Sequence, residues 1–205
     1  MIERMNPNNR PIAHAPKTPG QLPHDLGEHL QEVSKLARCF AQNFGPDWAA
    51  LAGLWHDLGK YRPGFQRYLA LSNDSDGHIE HRVSGREKTH SAAGAMWAIQ
   101  QLNQPNRPYG NILAYLIAGH HAGLDDWDGG LKERLLSDDS QWELKEALEA
   151  NPPANILAHG DLVAQIPGGA SGFALWVRML FSCLVDADFL DTEAHFDAGK
   201  PARRE

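Results

Sequence analysis

The chain has 205 residues, enough to bury one substantial hydrophobic core, and we predict a single domain over residues 1–205. Hydrophobic residues make up 42% of the chain and charged residues 22%, which argues against wholesale disorder, and two cysteines are too few for a disulfide framework. The formal charge of -7, without any basic run, argues against tight DNA binding by this chain alone.

Apolar residues recur at three- and four-residue steps in several segments, which is the pattern of amphipathic helices. The first predicted helix runs from Leu26 to Phe44 and is ended by Gly45-Pro46, and the second begins with Asp47 as its N-cap and continues into His56-Asp57. Further helices are predicted over residues 91–102, 112–120, 131–136, 141–150 and 172–190. Polar or Pro- and Gly-rich loops are predicted over residues 73–88, 124–130 and 151–169. The sequence therefore predicts an all-α domain, a helical bundle with long loops.

The longest strongly apolar stretch, Phe173 to Val185, is interrupted by Arg178 and is too short to cross a bilayer. The N-terminal residues lack the apolar segment of a secretory signal peptide. We therefore expect a cytoplasmic protein without a membrane partner.

The strongest local signal is the segment Leu54-Trp55-His56-Asp57-Leu58-Gly59-Lys60. A neighbouring imidazole and carboxylate can bind one metal ion, or the carboxylate can bridge two. Lys60 follows closely enough for its ammonium to approach the same site and neutralise a phosphate oxygen. By itself the pair favours an ordinary helix end, in which Asp57 bonds to the backbone and Gly59 is a left-handed C-cap.

Other histidines make that ordinary interpretation less favourable. His29 lies within the first predicted helix, His90-Ser91 begins another, and His120-His121 ends a third. An imidazole among apolar residues costs free energy unless it is bonded. An acidic cluster, Asp186-Ala187-Asp188, follows late in the chain. Because helical bundles build metal centres from one or two residues of several helices, these positions predict a metal site.

This order of residues resembles the HD superfamily of metal-dependent phosphohydrolases. More narrowly, the chain is similar over about residues 13–196 to the HD nuclease domain of the type I CRISPR-associated nuclease-helicases. The narrower resemblance is carried by Ala13-His14, Glu28-His29-Leu30, Phe65-Gln66-Arg67-Tyr68-Leu69, His90-Ser91-Ala92-Ala93-Gly94, Gly119-His120-His121-Ala122-Gly123-Leu124, and the segment from Ser182 through Asp188 to Glu193.

The resemblance implies two divalent metal ions bridged by Asp57. The residues implied for the first metal are His29, His56, Asp57 and Asp188. Those implied for the second, besides Asp57, are His90, His120 and His121. Imidazole-rich ligation favours Mn, Fe, Co or Ni, with Mg as a further possibility. Catalytic roles fall to Asp57, and to Lys60 and Ser91 beside the scissile phosphate.

Several assignments have alternatives. Asp186 or Asp191 can supply the late carboxylate in place of Asp188, which fits the family's usual Ala-Asp form. His24-Asp25 is interpreted as a helix N-terminus at which Asp25 either caps the first turn or places its negative charge there. His14 is assigned with equal weight to a structural role or to the edge of the active site.

The remaining histidines are expected to be solvated rather than metal-binding: His78, His81, His159 and His195. Trp127 has acidic neighbours that repel phosphate, so its ring is expected to pack or to contact a partner rather than to stack on a base.

The resemblance implies a single-stranded DNA nuclease, endonuclease or exonuclease, in CRISPR interference, an antiviral defence. Its partners would be a CRISPR-associated helicase, as domain or subunit, and an RNA-guided Cascade-like complex. The chain has no Gly-rich Lys-Ser/Thr phosphate loop, so unwinding must come from elsewhere, and residues 196–205 resemble the start of a linker to such a helicase. The alternative is an HD-type nucleotide or cyclic-nucleotide phosphohydrolase. A non-enzymatic HD scaffold is disfavoured by the complete ligand set.

Overall fold

The computed structural model describes residues 10–18, 20–71 and 89–197. Its helices are α1 (Leu26–Phe40), α2 (Pro46–Trp55), α3 (Pro63–Leu71), α4 (Ser91–Leu102), α5 (Tyr109–Gly119), α6 (Lys132–Leu135), α7 (Asp138–Glu149), α8 (Ala154–Leu157) and α9 (Phe173–Phe196). Its strands are β1 (Ile12–His14), β2 (His24–Asp25), β3 (Asn103–Gln104) and β4 (Arg107–Pro108). The strands form two short antiparallel pairs, β1 with β2 and β3 with β4. Since helices make up most of the described structure, the prediction of an all-α fold is confirmed.

The helices pack in two groups that meet in the middle of the domain. In the first group α1 packs on α2 and α9, and in the second α4 packs on α5 and α7. The core between them contains fully buried large side chains, among them Leu30, Trp55, Leu116 and Leu184. Each such side chain stabilises the fold by about 1.5–3 kcal/mol relative to an exposed one. This core fixes the positions of the helix ends at which the predicted site residues lie.

The boundary between the first two helices differs from the prediction. Helix α1 ends at Phe40 rather than Phe44, and the chain turns over the next residues. Helix α2 begins at Pro46, whose missing N–H is not needed in the first turn, so Asp47 is not its N-cap. The Asp47 carboxylate pairs instead with the guanidinium of Arg38, 2.7 Å away.

Other differences concern segments without a clear helical period. Helix α3 was not predicted, and α8 lies within the predicted loop 151–169. Helix α9 continues to Phe196, beyond the predicted end at residue 190. The predicted loop 73–88 lies outside the described residues. Among the described helices, we find none that combines the length and apolarity needed to cross a membrane.

Two glycines allow the backbone around the His-Asp pair to pack closely. A Cβ at Gly94 would lie 1.8 Å from the carbonyl oxygen of Trp55, so α4 crosses the end of α2 at backbone contact. A Cβ at Gly59 would lie 2.2 Å from the carbonyl oxygen of His90. Gly59 has no positive φ, so it is not the left-handed cap of the ordinary helix-end interpretation, and this glycine is required for close approach instead. Together they place His56-Asp57 against His90-Ser91.

Candidate metal centre

The seven predicted metal ligands, which come from five separate stretches of the chain, meet in one buried cluster. The contributing positions are the interior of α1, the segment after α2, the residue before α4, the segment after α5 and the interior of α9. Their residues are His29, His56, Asp57, His90, His120, His121 and Asp188. Six of these are at most 8% exposed, and His121 is half-buried. His121 is therefore the most exposed member of the cluster.

The carboxylate of Asp57 lies between two groups of imidazoles and directs one oxygen to each. Its Oδ2 is 3.6 Å from Nε2 of His29 and 3.3 Å from Nε2 of His56. Its Oδ1 is 3.2 Å from Nε2 of His90 and 3.5 Å from Nε2 of His120. A carboxylate in this position would be able to bind a divalent cation through either oxygen.

Each group has one further member. Asp188 Oδ1 is 3.3 Å from Nε2 of His29 and 3.6 Å from Nε2 of His56. On the other side, Nε2 of His121 is 2.8 Å from Nε2 of His90. Of the three late carboxylates, the structure brings Asp188 into the cluster, leaves Asp186 exposed, and places Asp191 behind His29.

Backbone carbonyls fix the orientation of two imidazoles. Nδ1 of His56 donates to the carbonyl of Gly53 at 2.8 Å, and Nδ1 of His120 donates to that of Ile117 at 2.5 Å. With the proton on Nδ1, the Nε2 lone pair of each ring faces the cluster, as metal binding requires.

The chemistry of the cluster fits divalent cations. Within the described structure, five of its buried atoms have no hydrogen-bond partner: His29 Nε2, His56 Nε2, His120 Nε2, Asp57 Oδ1 and Asp188 Oδ1. Buried polar atoms without partners are rare because each costs free energy, and five of them in one cluster fit a set of metal ligands. Imidazole nitrogens with carboxylate oxygens are the donor set of transition-metal ions.

In the metal-free cluster, the carboxylates raise the pKa values of the neighbouring histidines. Burial lowers the pKa of His56, but the carboxylates of Asp57 and Asp188 outweigh it and raise that pKa to about 9. Burial likewise opposes protonation of His29, yet its contacts with Asp188, Asp191 and Asp57 raise its pKa well above the ordinary value. Without metal, imidazolium ions therefore balance the carboxylates.

Comparison with known proteins agrees with this geometry. The family model of the HD domain matches residues 26–163 of the chain. The chain belongs to the HD domain family. A search of curated proteins found no match. HD domains bind divalent metals, and family membership makes this chain a metal-dependent phosphohydrolase. The matched region holds six of the cluster's residues and ends before Asp188.

The raised pKa of His56 predicts how the metal affinity of this HD domain depends on pH. Because only neutral imidazole binds metal, an ion must displace the proton of His56 at any pH below about 9. Affinity should therefore rise with pH, about tenfold per unit for each proton displaced, and level off above that pKa. The same protonation stabilises the metal-free fold fully below pH 6.5, and this stabilisation is lost as pH rises through about 9.

Isothermal titration with Mn²⁺ at several pH values, in two buffers of different ionisation enthalpy, measures both the affinity and the protons released. Equal affinities across the range, with no proton release, would contradict this account.

Lys60 and Ser91, predicted to contact the phosphate, are both buried in the HD domain. Lys60 Nζ is 2.7 Å from Asp57 Oδ2 and donates to the carbonyl of Ala13 at 3.2 Å. Burial would raise the pKa of Asp57, but Lys60 and His56 hold it well below its usual range. Lys60 thus keeps Asp57 ionised. Ser91 is the first residue of α4, next to His90.

A buried ion-pair network that supports His90 was not identified from the sequence. Arg62 is fully buried, and its guanidinium donates to the carbonyl of Thr89 at 2.7 Å and to Glu146 at 3.3 Å. Glu143 accepts from the backbone N–H of Ala93 at 2.9 Å and lies 3.7 Å from Arg62. The network fixes the start of α4 and therefore His90. Its only sequence signal is the pair of glutamates three residues apart on α7.

Three histidines outside the ligand set lie beside the centre. The ring of His14 is buried, 5.1 Å from the ring of His29. Asp25 accepts from the backbone N–H of Glu28, so the predicted cap is confirmed, but the adjacent His24 is also buried. His195, predicted to be solvated rather than metal-binding, is half-buried and stacks on His24 with the ring centroids 4.0 Å apart. It belongs to none of the candidate ligand groups among the described residues.

The other predictions concern peripheral residues. His159 is exposed, as predicted, and its ring edge contacts Trp55. Trp127 is half-buried and its ring centroid lies 6.3 Å from that of Tyr115, which agrees with a packing role. His78 and His81 lie outside the described residues.

Proposed function

We propose that this HD domain is a nuclease that hydrolyses phosphodiester bonds of single-stranded DNA in CRISPR interference. A CRISPR-associated helicase and an RNA-guided Cascade-like complex would be its partners. The observation that carries the nuclease part is the position of Asp57, whose Oδ1 faces His90 and His120 while its Oδ2 faces His29 and His56.

The ligands divide into sets suited to two divalent cations. Asp57, His90, His120 and His121 place ligand atoms within 4.8 Å of one another, and so do His29, His56 and Asp57. Asp188 joins the second set through His29 and His56. Two bound cations supply an activated water and neutralise charge on the phosphodiester. The imidazole content supports Mn, Fe, Co or Ni over Mg, although Mg can also bind.

The chain's own residues would have distinct roles. Asp57 belongs to both ligand sets and would bind the ion in each. Lys60 keeps the Asp57 carboxylate ionised and oriented. Ser91, next to His90, is the proposed hydrogen-bond donor to the phosphate. Because His121 is the most exposed ligand, the phosphate would enter from its side.

Support for single-stranded DNA as substrate comes from the motifs that resemble the CRISPR-associated nucleases, chiefly Phe65 to Leu69 and Gly119 to Leu124. The charge of -7 fits a nuclease to which a helicase delivers DNA, since such an enzyme need not grip DNA alone. The same charge also favours a second candidate, a nucleotide or cyclic-nucleotide phosphohydrolase, because a small substrate needs no basic surface.

Circular single-stranded DNA, incubated with the protein and Mn²⁺, Co²⁺, Ni²⁺ or Mg²⁺, tests the proposal beside a panel of nucleotides and cyclic nucleotides. We expect metal-dependent conversion of the circle to linear and shorter products. His120→Ala should abolish this cleavage, and His159→Ala, which changes an exposed histidine, should leave it intact. Hydrolysis of nucleotides with the DNA intact would instead establish the phosphohydrolase. Inertness of the metal-loaded protein toward both substrate classes would contradict an autonomous nuclease.

A further inference from the structure

A second carboxylate of α9, Asp191, contacts the side of His29 that faces away from the metal ligands. Its Oδ2 is 2.6 Å from Nδ1 of His29, a short hydrogen bond between a fully buried imidazole and a half-buried carboxylate. Asp191 lies three residues after Asp188, so both project from the same face of the helix. Nδ1 of His29 is therefore hydrogen-bonded to Asp191. Its Nε2 faces Asp188 at 3.3 Å and Asp57 at 3.6 Å without a hydrogen bond.

Asp191 is itself held by the β1–β2 hairpin. Nε2 of His24 lies 3.4 Å from the same Oδ2, and Nδ1 of His24 lies 3.4 Å from Nδ1 of His14 on the neighbouring strand. The two histidines are paired across the hairpin. His195, one turn after Asp191, covers the outer face of His24 by parallel stacking. These contacts leave Asp191 little freedom to turn away from His29.

The histidine rings close to His29 raise the question of whether they form another metal site. Ligand atoms of His14, His24 and His29 do lie within 4.8 Å of one another. However, Asp191 already occupies Nδ1 of His29 at hydrogen-bond distance, and His24 directs its Nε2 to the same carboxylate. A carboxylate that hydrogen-bonds the remote nitrogen of a metal-binding imidazole fixes its tautomer and raises its basicity, and the geometry here is of that kind.

We propose that Asp191 is a positioning residue of the metal centre. It keeps the proton of His29 on Nδ1 and thereby directs the Nε2 lone pair to the metal, while His24 and His14 keep Asp191 in place. The inference rests on the metal-binding part of the proposed function and not on the identity of the substrate. Its readouts are binding and spectroscopy, so a failure of DNA cleavage and a failure of this inference appear in different assays.

Zinc titrations followed by calorimetry, together with ¹⁵N NMR of the histidine rings in the Zn²⁺-loaded protein, test it. Asp191→Leu removes the carboxylate that accepts the hydrogen bond of His29, and it should weaken Zn²⁺ binding at the tighter of the two proposed metal sites about 10- to 100-fold. Asp191→Asn keeps the size of the side chain and one acceptor oxygen, so it should lose less Zn²⁺ affinity. If the leucine variant does not fold, the asparagine variant alone provides the test. Asp186→Asn, a change of an exposed carboxylate on the same helix, should bind Zn²⁺ like the unaltered protein.

The NMR spectra separate positioning from mere structural support. In the unaltered protein we expect the Nδ1–H proton of His29 to resonate far downfield, because it donates a short hydrogen bond to Asp191. In Asp191→Leu this resonance should move upfield. Unchanged affinity and an unchanged Nδ1–H resonance in Asp191→Leu would overturn the proposal. So would the loss of a whole equivalent of Zn²⁺ in His24→Ala, because it would make the hairpin histidines ligands themselves.

Discussion

Replacing Asp57 with Asn is expected to lower metal-dependent hydrolysis by about three orders of magnitude or more, as observed when a central catalytic group is removed. Such a loss corresponds to about 4 kcal/mol of transition-state stabilisation. Both oxygens of Asp57 face imidazoles at 3.2–3.6 Å, and Lys60 contacts Oδ2. An amide offers one oxygen and no charge, so it cannot serve both ligand sets, and it leaves Lys60 without its counter-ion.

The measurement is kcat/KM on the substrate that the cleavage assays identify, with bound metal quantified by mass spectrometry. Asp161→Asn is the matched control, since Asp161 is exposed. Circular dichroism of both variants shows whether they fold. Activity of the folded Asp57 variant within tenfold of the unaltered protein would refute a central role for this carboxylate.

Replacing Gly94 with Ala is expected to destabilise the protein by about 3 kcal/mol or more, at the upper end of overpacking effects. The added Cβ would meet the carbonyl oxygen of Trp55 at 1.8 Å, and a backbone atom cannot rotate away as a side chain can. Helices α2 and α4 would have to separate. Since typical domains are stable by only about 5–15 kcal/mol, this is a large part of the total.

Urea unfolding of the metal-free protein measures this change. Gly160→Ala provides the comparison, because no atom lies within 4 Å of its added Cβ and its φ is not positive, and it should shift stability by less than about 0.5 kcal/mol. The separation should also weaken metal binding, since His56-Asp57 follows α2 and His90 precedes α4. A loss of stability below about 1 kcal/mol would show that the helix crossing is adaptable.

A candidate metal site could be predicted because its histidines stand at helix ends or on helical faces, while the full set of candidate ligands came from the resemblance to the HD superfamily. Asp188 illustrates how far that logic extends. Asp186 lies two residues earlier, on the opposite, exposed face of α9, whereas Asp188 shares its buried face with Leu184. The helical period of α9 therefore distinguishes Asp188 from Asp186. The same period places Asp191 near Asp188.

The supporting residues could not be predicted, because their partners are distant in sequence. Arg62 precedes a proline and looks like a turn residue, yet it is fully buried against Glu143 and Glu146 of α7. His24 looks like the start of a helix, but the β1–β2 hairpin carries it to Asp191. Helix α3 was missed because its first residues, Pro63 and Gly64, are typical of turns. Only tertiary contacts decide such cases.

The ligands of the cluster lie far apart along the chain, from His29 in α1 to Asp188 in α9. An ion bound by them would tie two distant parts of the chain together and would stabilise the folded state, because the unfolded chain does not bring these residues together. The metal-loaded protein should therefore resist proteases longer than the metal-free protein. Supply of the metal would thereby govern how long the protein persists in the cell, in addition to how fast it works.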